Sequence, residues 1–204
     1  MALTDVANIE SWIKRDIEAD REAELTRCCS AATKILEQIT GRTLERVTKT
    51  QNFDGYLALG IGDEIYLHPG HRPVLHTGSD LITCTVSGLG ISVVTGYSTT
   101  AGIVAIGANE DRPVMLKRLW GPFIWGIQNI AVSYKCGWQT NGTTDSQPVP
   151  DDVVQLANEV AWLMFQSPDW LGKQNVSNAG AAISIANALS PIAQHTLDRL
   201  TVII

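Results

Sequence analysis

Apolar residues recur at helical spacing near the beginning of the chain. The stripe between positions 20 and 41 consists of Leu25, Cys28, Ala32, Ile35, Leu36 and Ile39. Gly41 follows in the usual position for ending a helix, and Asp20 is placed to cap its start. Residues 3–15 predict a shorter helix, capped by Thr4. The pattern therefore predicts an N-terminal helical pair over 3–41.

A further helix is predicted over 150–166, and it is apolar on nearly all sides. Pro150 marks its start, because a proline there loses no N–H that the helix needs. Only Gln155, Asn158 and Glu159 remain as a polar strip. Such a helix is buried on two sides, either as a central core helix or between its own core and a neighbouring subunit. The predicted subunit-interface residues on it are Val154, Trp162 and Phe165.

Between the helices, residues 44–136 are rich in Thr, Val, Ile, Tyr and Gly, with turn dipeptides throughout. Candidate strands are 44–53, 63–68, 80–87, 91–97, 102–106, 112–119 and 127–136. We expect them to be antiparallel, because the region offers no helix to cross over between parallel strands. The predicted fold class is therefore α+β, with helices 3–41 and 150–166 around a β region.

The end of the chain predicts an arm and a short helix. Residues 172–189 are small and polar without periodicity, which is typical of an extended arm. Ser190 and Pro191 then suit the cap and first turn of a helix too short to be stable alone. We expect this helix to have no place in the free subunit and to dock on a partner. The predicted docking residues are Ile192, Leu197, Leu200, Val202, Ile203 and Ile204. The predicted domains are a body over 1–171 and an arm with docking helix over 172–204.

Composition narrows the function classes. The formal net charge is −6, and no block of Lys or Arg occurs, which argues against a protein that grips DNA by its phosphates. A protein through which DNA passes is compatible with this balance. No apolar run reaches the length of a membrane span, and the N-terminus has no signal-peptide pattern. The four cysteines form no C-x-x-C pair, so we expect buried thiols in a reducing cytosol.

The sequence contains few candidate catalytic, metal-binding or ligand-binding residues. His68, His71 and His76 could bind zinc, but the first two straddle a turn, and surface histidines in a turn are the favoured interpretation. No nucleophile elbow, phosphate loop or H-E-x-x-H motif occurs, so no catalytic residue, cofactor or metal site is predicted. Trp120 and Trp125 flank a Gly-Pro pair, where they could stack a ligand. Core or subunit interface is favoured for them, and both are predicted as interface residues.

The order of the motifs resembles the tailed-bacteriophage head–tail connector family, also called adaptor or head-completion proteins. A helix ends in Thr40-Gly41-Arg42, a strand ends before Pro73-Val74, and a later strand reads V-S-Y-K-C-G over 132–137. A helix then opens with Pro150, Asp152 and Val153, followed by Leu156-Ala157 one place later than the family pattern. Residues 75–128 exceed the compact family core, so an inserted β excursion is expected.

The resemblance implies a non-enzymatic ring, commonly twelve-fold, that sits beneath the portal and extends the DNA channel toward the tail. Its implied partners are further copies of itself, the portal protein and a tail or tail-completion protein. DNA would pass without sequence-specific binding, in a virion assembled in the host cytoplasm. Two other hypotheses stay open: a β-rich carbohydrate- or ligand-binding module with a Trp-bearing hairpin, and a small metal-dependent hydrolase using the three histidines.

Overall fold

The structure is a computed structural model that describes residues 3–55, 62–77, 80–95, 102–124, 126–138, 148–166 and 188–201. These residues form four helices and nine strands, which confirms the α+β class. The chain divides into two compact units. The helical unit comprises 1–45, 139–141 and 148–204, and the β unit comprises 46–138 and 142–147.

The four described helices all lie in the helical unit. They are α1 (Val6–Ile13), α2 (Glu22–Thr40), α3 (Asp151–Gln166) and α4 (Pro191–Leu200). Gly41 ends α2 with a left-handed φ of 64°, and Ser190 caps α4 by accepting a hydrogen bond from the Ala193 N–H, both as predicted.

The predicted caps of the first two helices are wrong. Asp5, rather than Thr4, caps α1, since its carboxylate accepts a hydrogen bond of 2.8 Å from the Asn8 N–H. The cap position of α2 is Arg21, which makes no side-chain capping bond, rather than Asp20. The Thr4 hydroxyl instead donates a hydrogen bond to the Asn158 side chain on α3.

The core of the helical unit lies where α3 packs against α2 and α4. Its fully buried side chains include Leu25, Leu36, Leu156, Val160 and Leu200. The expectation that α4 has no place in the free subunit is therefore wrong. Although α4 is too short to be stable alone, its apolar face is covered by α3 and α2 of its own chain.

The β unit contains two sheets that share one core. Its strands are β1 (Val47–Gly55), β2 (Glu64–Tyr66), β3 (Val74–Leu75), β4 (Thr83–Val86), β5 (Leu89–Ile91), β6 (Val93–Val94), β7 (Ile103–Ile106), β8 (Met115–Arg118) and β9 (Gly126–Cys136). One sheet has the order β1-β9-β4-β5, with β3 also on β9, and the other has the order β2-β8-β7-β6.

The long strand β9 organises the first sheet, because β1, β3 and β4 all pair with it antiparallel. The expectation of a wholly antiparallel region is wrong at one point. Strands β6 and β7 are parallel, with Val93 opposite Ile103. Both strands are two to four residues long, so the pairing needs only a brief parallel ladder and no crossover helix.

Candidate assembly surfaces

Helix α3 is buried on most sides, as its sequence predicts, but its polar strip is placed differently. Asn158 and Glu159 are buried and do not face solvent. Asn158 accepts a hydrogen bond from the Thr4 hydroxyl, and Glu159 accepts two from Ser190, at 2.7 Å from Oγ and 3.1 Å from N. Two neighbouring polar residues of α3 therefore fasten the segment before α1 and the start of α4.

The interface residues predicted on α3 differ in accessibility. Phe165 is buried in its own chain, so it is not available as an exposed contact, whereas Val154 and Trp162 are half-buried. The Trp162 and Phe165 ring centroids lie 5.5 Å apart, and the Arg21 guanidinium lies 4.1 Å from the Phe165 centroid. Helical spacing places Trp162 on one strip with Gln155 and Gln166, which keep access to solvent.

The docking residues predicted on α4 also differ in their exposure to solvent. Leu197 and Leu200 are buried within the helical unit, which corrects the expectation that they wait for a partner. Ile192 is 64% exposed and remains available. Val202, Ile203 and Ile204 lie outside the described residues.

The tryptophan segment is a loop between the two sheets, rather than the hairpin proposed from the sequence. It connects β8 in one sheet with β9 in the other. Phe123 is buried in the core of the β unit, which fixes the loop, while Trp120 is 65% exposed. Trp125 lies outside the described residues.

Sequence reasoning missed three other exposed apolar residues that share this end of the β unit. Leu89 is 73% exposed, Ile124 is 57% exposed and Ile127 is 81% exposed. We call these three residues and Trp120 the apolar tip. Strand alternation could not reveal them, because each lies beside a turn or strand end where the period of two no longer decides burial.

A network of hydrogen bonds joins the turns that carry Leu89, Ile124 and Ile127. The Asn129 amide accepts from the Gly55 N–H at 2.7 Å and donates to the Ile124 carbonyl at 2.8 Å. The Asp54 carboxylate accepts from the Gln128 N–H at 2.6 Å, and the Ser87 N–H donates to the Asn129 carbonyl at 2.7 Å. The ends of β1 and β9, the turn before β5 and the 120–124 loop are thereby bound to one another.

The three histidines lie in the β unit and are less exposed than predicted, since only His68 is exposed and His71 and His76 are half-buried. The Gln51 Oε1 atom accepts from the His68 N–H at 3.2 Å and from the Tyr134 hydroxyl at 2.6 Å. The Tyr134 hydroxyl therefore donates its proton to Gln51 and can only accept from His71. Since the His71 Nδ1 atom lies 2.6 Å from that hydroxyl, Nδ1 carries the proton and donates it to the hydroxyl oxygen. The hydrogen bonds thus assign the neutral tautomer of His71.

The same reasoning disfavours a metal site. The His68 Nδ1 atom accepts from the Gly70 N–H at 3.1 Å, which places the proton of neutral His68 on Nε2, the atom that a metal would need. Within the described ranges, no group of three or more His, Cys, Asp or Glu side chains could hold a metal ion. Burial is the main cause that lowers the pKa of His71 to about 4, followed by the charges of His68 and Lys49.

The four cysteines are buried thiols, as predicted. Burial raises the pKa of the thiols of Cys28 and Cys84 to about 11 and that of Cys29 to about 12. These thiols are therefore protonated and poorly nucleophilic at neutral pH. No helix in the described part of the chain combines the length and apolar character needed to cross a membrane.

Comparison with solved structures defines the class of fold to which these surfaces belong. The chain matches structures of the neck of an empty gene transfer agent particle with C6 symmetry and of the neck of the native particle with C12 symmetry. The TM-scores are 0.59 and 0.56, the identities 15% and 14%, and the matches cover 99% and 100% of this chain and 91% and 95% of the other chains.

A match to the virion of the native gene transfer agent particle has a TM-score of 0.61 at 13% identity, with 99% of this chain and 91% of that chain covered. No protein-family model matches the chain, and no curated protein sequence does either. The chain therefore shares the fold of proteins from the neck and virion of these particles. This agrees, at the level of fold, with the connector resemblance read from the motif order.

Proposed function

We propose that this chain is a structural subunit of a head–tail connector ring, without catalytic activity. One observation carries the proposal: the fold matches chains from particle necks over nearly the whole length of both chains. The motif order that resembles the connector family supports the same role independently. In a ring, each subunit contacts two neighbours through a head-to-tail interface.

The proposed ring has twelve copies, docks on the portal and extends the DNA channel toward a tail or tail-completion protein. The net charge of −6 suits a conduit, because DNA phosphates are not attracted to an acidic wall. The ring would act in the virion at the head–tail junction after assembly in the host cytoplasm. No cofactor or metal is needed for this role.

Among the predicted contact residues, the accessible ones fit this role best. Val154, Trp162 and Trp120 keep surface for contacts between subunits, and Trp125 stays a prediction. For portal docking, Ile192 is the exposed member of the predicted set. Val202, Ile203 and Ile204 remain proposed docking residues that follow α4 directly.

Genetic depletion tests the function. Particles assembled without this chain should have heads that fill with DNA but leak it or lack tails, and the wild-type chain supplied in trans should restore tailed particles. Ile192→Asp should fail to restore them, because a charge would be buried in the docking surface. Glu18→Ala, at an exposed loop position, is the matched control and should restore them. Normal tailed particles in the absence of the chain would contradict the proposal.

A further inference from the structure

The large side chains of the apolar tip are unusually exposed to solvent. From exposures of 57–81%, its four residues expose on the order of 500 Å² in all, and patches of a few hundred Å² on single proteins are often functional. A standard interface covers about 800 Å² on each partner. The tip is therefore large enough to form the apolar centre of an interface, although a rim must complete it.

The backbone beneath the tip is fixed in conformations that need support. Gln128 has a φ of 49° and Ser87 has a φ of 51°, in the left-handed region that non-glycine residues seldom adopt. Asp54 holds the Gln128 N–H, and Asn129 joins Gly55 to the 120–124 loop. Such strain persists where surrounding contacts determine it, and fixed apolar anchors lose little entropy on binding.

The charges around the tip indicate what kind of partner it fits. Asp54 is an exposed carboxylate that accepts from the N–H of Gln128, the residue after Ile127, and the Arg118 guanidinium donates to the Pro122 carbonyl within the loop. Nucleic acid and anionic lipid surfaces would require clustered cations here. A protein surface that combines an aromatic anchor with a cation fits better.

The helical unit of this same chain carries such a surface. Trp162 lies on the open strip of α3, its ring 5.5 Å from Phe165, and the Arg21 guanidinium covers Phe165. Arg21 is 46% exposed in an ion pair with Glu24. The partly exposed Arg21 cation is thus separated from Trp162 by the Phe165 ring, and the tip offers apolar anchors near the Asp54 carboxylate.

We propose that the apolar tip of one copy docks on the α3 strip around Trp162 of the next copy. The contact is head-to-tail, because two different surfaces of the chain meet, and repetition of such a contact gives a ring when the rotation between copies closes. This inference rests on the proposed function and adds the direction and the residues of the subunit contact.

Disulfide trapping between engineered cysteines tests this contact directly. Leu89→Cys mixed with Gln155→Cys should give an intermolecular dimer under mild oxidation, since both variants keep Trp120, Ile127 and Trp162, and the buried native thiols should not compete. Gln166→Cys, on the same strip, is a second acceptor in case Gln155→Cys does not fold. Trp12→Cys, 38% exposed on α1, is the matched control and should give no dimer with Leu89→Cys. No dimer from either strip position, or equal trapping with the control, would overturn the proposal.

A mixing experiment tests the head-to-tail direction. A tip variant, Trp120→Asp with Ile127→Asp, and a strip variant, Trp162→Gln, should each lose self-assembly in sedimentation while circular dichroism stays native. Mixed together they should form a 1:1 heterodimer that grows no further, because one intact tip meets one intact strip. Absence of the heterodimer would overturn the proposal. If the variants still form a ring on the portal, the proposed connector function stands while this contact is wrong.

Discussion

The Glu159 carboxylate on α3 accepts hydrogen bonds from both the backbone N–H and the hydroxyl of Ser190, the capping residue of α4. Glu159 is only 8% exposed, and its carboxylate lies at the N-terminal end of α4, where the helix dipole favours negative charge. One side chain thereby fixes where the C-terminal helix begins and holds that end against α3.

Replacement of Glu159 should destabilise the docking of α4 more than the packing of the other helices. Glu159→Ala leaves two donors of Ser190 without this acceptor and should lower the free energy of unfolding by about 1–3 kcal/mol. Urea unfolding measures the change, and hydrogen exchange should show faster exchange in α4 than in α2. Glu18→Ala, at an exposed loop position, should change stability by less than about 0.5 kcal/mol. Equal effects of the two substitutions would contradict the role of Glu159.

The packing of α4 gives a second prediction. Leu200 is fully buried and Ile192 is 64% exposed, although both belong to the predicted docking set. Leu200→Ala should lower the free energy of unfolding of the isolated chain by about 2–5 kcal/mol, because it leaves a cavity. Ile192→Ala should change it by less than about 0.5 kcal/mol. If Leu200→Ala were neutral in the isolated chain, α4 would have to be undocked there, as the sequence alone suggested.

Two glycines of the β unit differ in the space around them and provide a controlled comparison of alanine substitutions. A Cβ added at Gly55 would overlap the Ile124 carbonyl oxygen, whereas a Cβ added at Gly90 would meet nothing within 4 Å. Gly55→Ala should therefore lower the free energy of unfolding by about 1–3 kcal/mol through strain at the tip. Gly90→Ala should be neutral or slightly stabilising, since it restricts the unfolded chain. Thermal unfolding of both variants checks this, and a neutral Gly55→Ala would contradict the close packing of the tip.

The environment of His71 predicts a pH dependence of stability. Its pKa is about 4 in the folded chain and about 6.5 when unfolded, so the unfolded state binds more protons between these values. Its contribution to stability is therefore fully present above about pH 6.5 and is lost as the pH falls toward 4. Urea unfolding at pH 7.5, 6 and 5 should show a smaller loss for His71→Gln than for the wild type. Parallel losses would show that His71 is not the group responsible.

The sequence predicted the helices well because their signals are local. Pro150, Ser190 and Gly41 act through their own backbone geometry or that of their neighbours, and each marks a helix boundary as expected. The same local reasoning placed Asn158 and Glu159 on a solvent-facing strip. Their partners, Thr4 and Ser190, lie 154 and 31 residues away in the chain, and no periodicity within α3 contains that information.

The candidate contact surfaces were predicted only in part for a similar reason. Trp120 and Trp162 were selected because large aromatic residues favour interfaces, and both keep access to solvent. Leu89 was placed in a turn between two predicted strands and Ile127 at the start of another strand, and exposure at such positions depends on which turns meet there. Asn129, whose side chain joins those turns, lies within a strand and has no local signature that separates it from other strand asparagines.

The central claim is that copies of this chain form a ring on the portal. Cryo-electron microscopy of the purified chain mixed with the portal protein of its own particle tests it most directly. We predict a ring of twelve copies, coaxial with the portal channel, in which the tip of each subunit lies on α3 of its neighbour. A portal that stays bare at saturating concentrations of folded chain, or density for the chain anywhere other than the channel axis, would contradict the account.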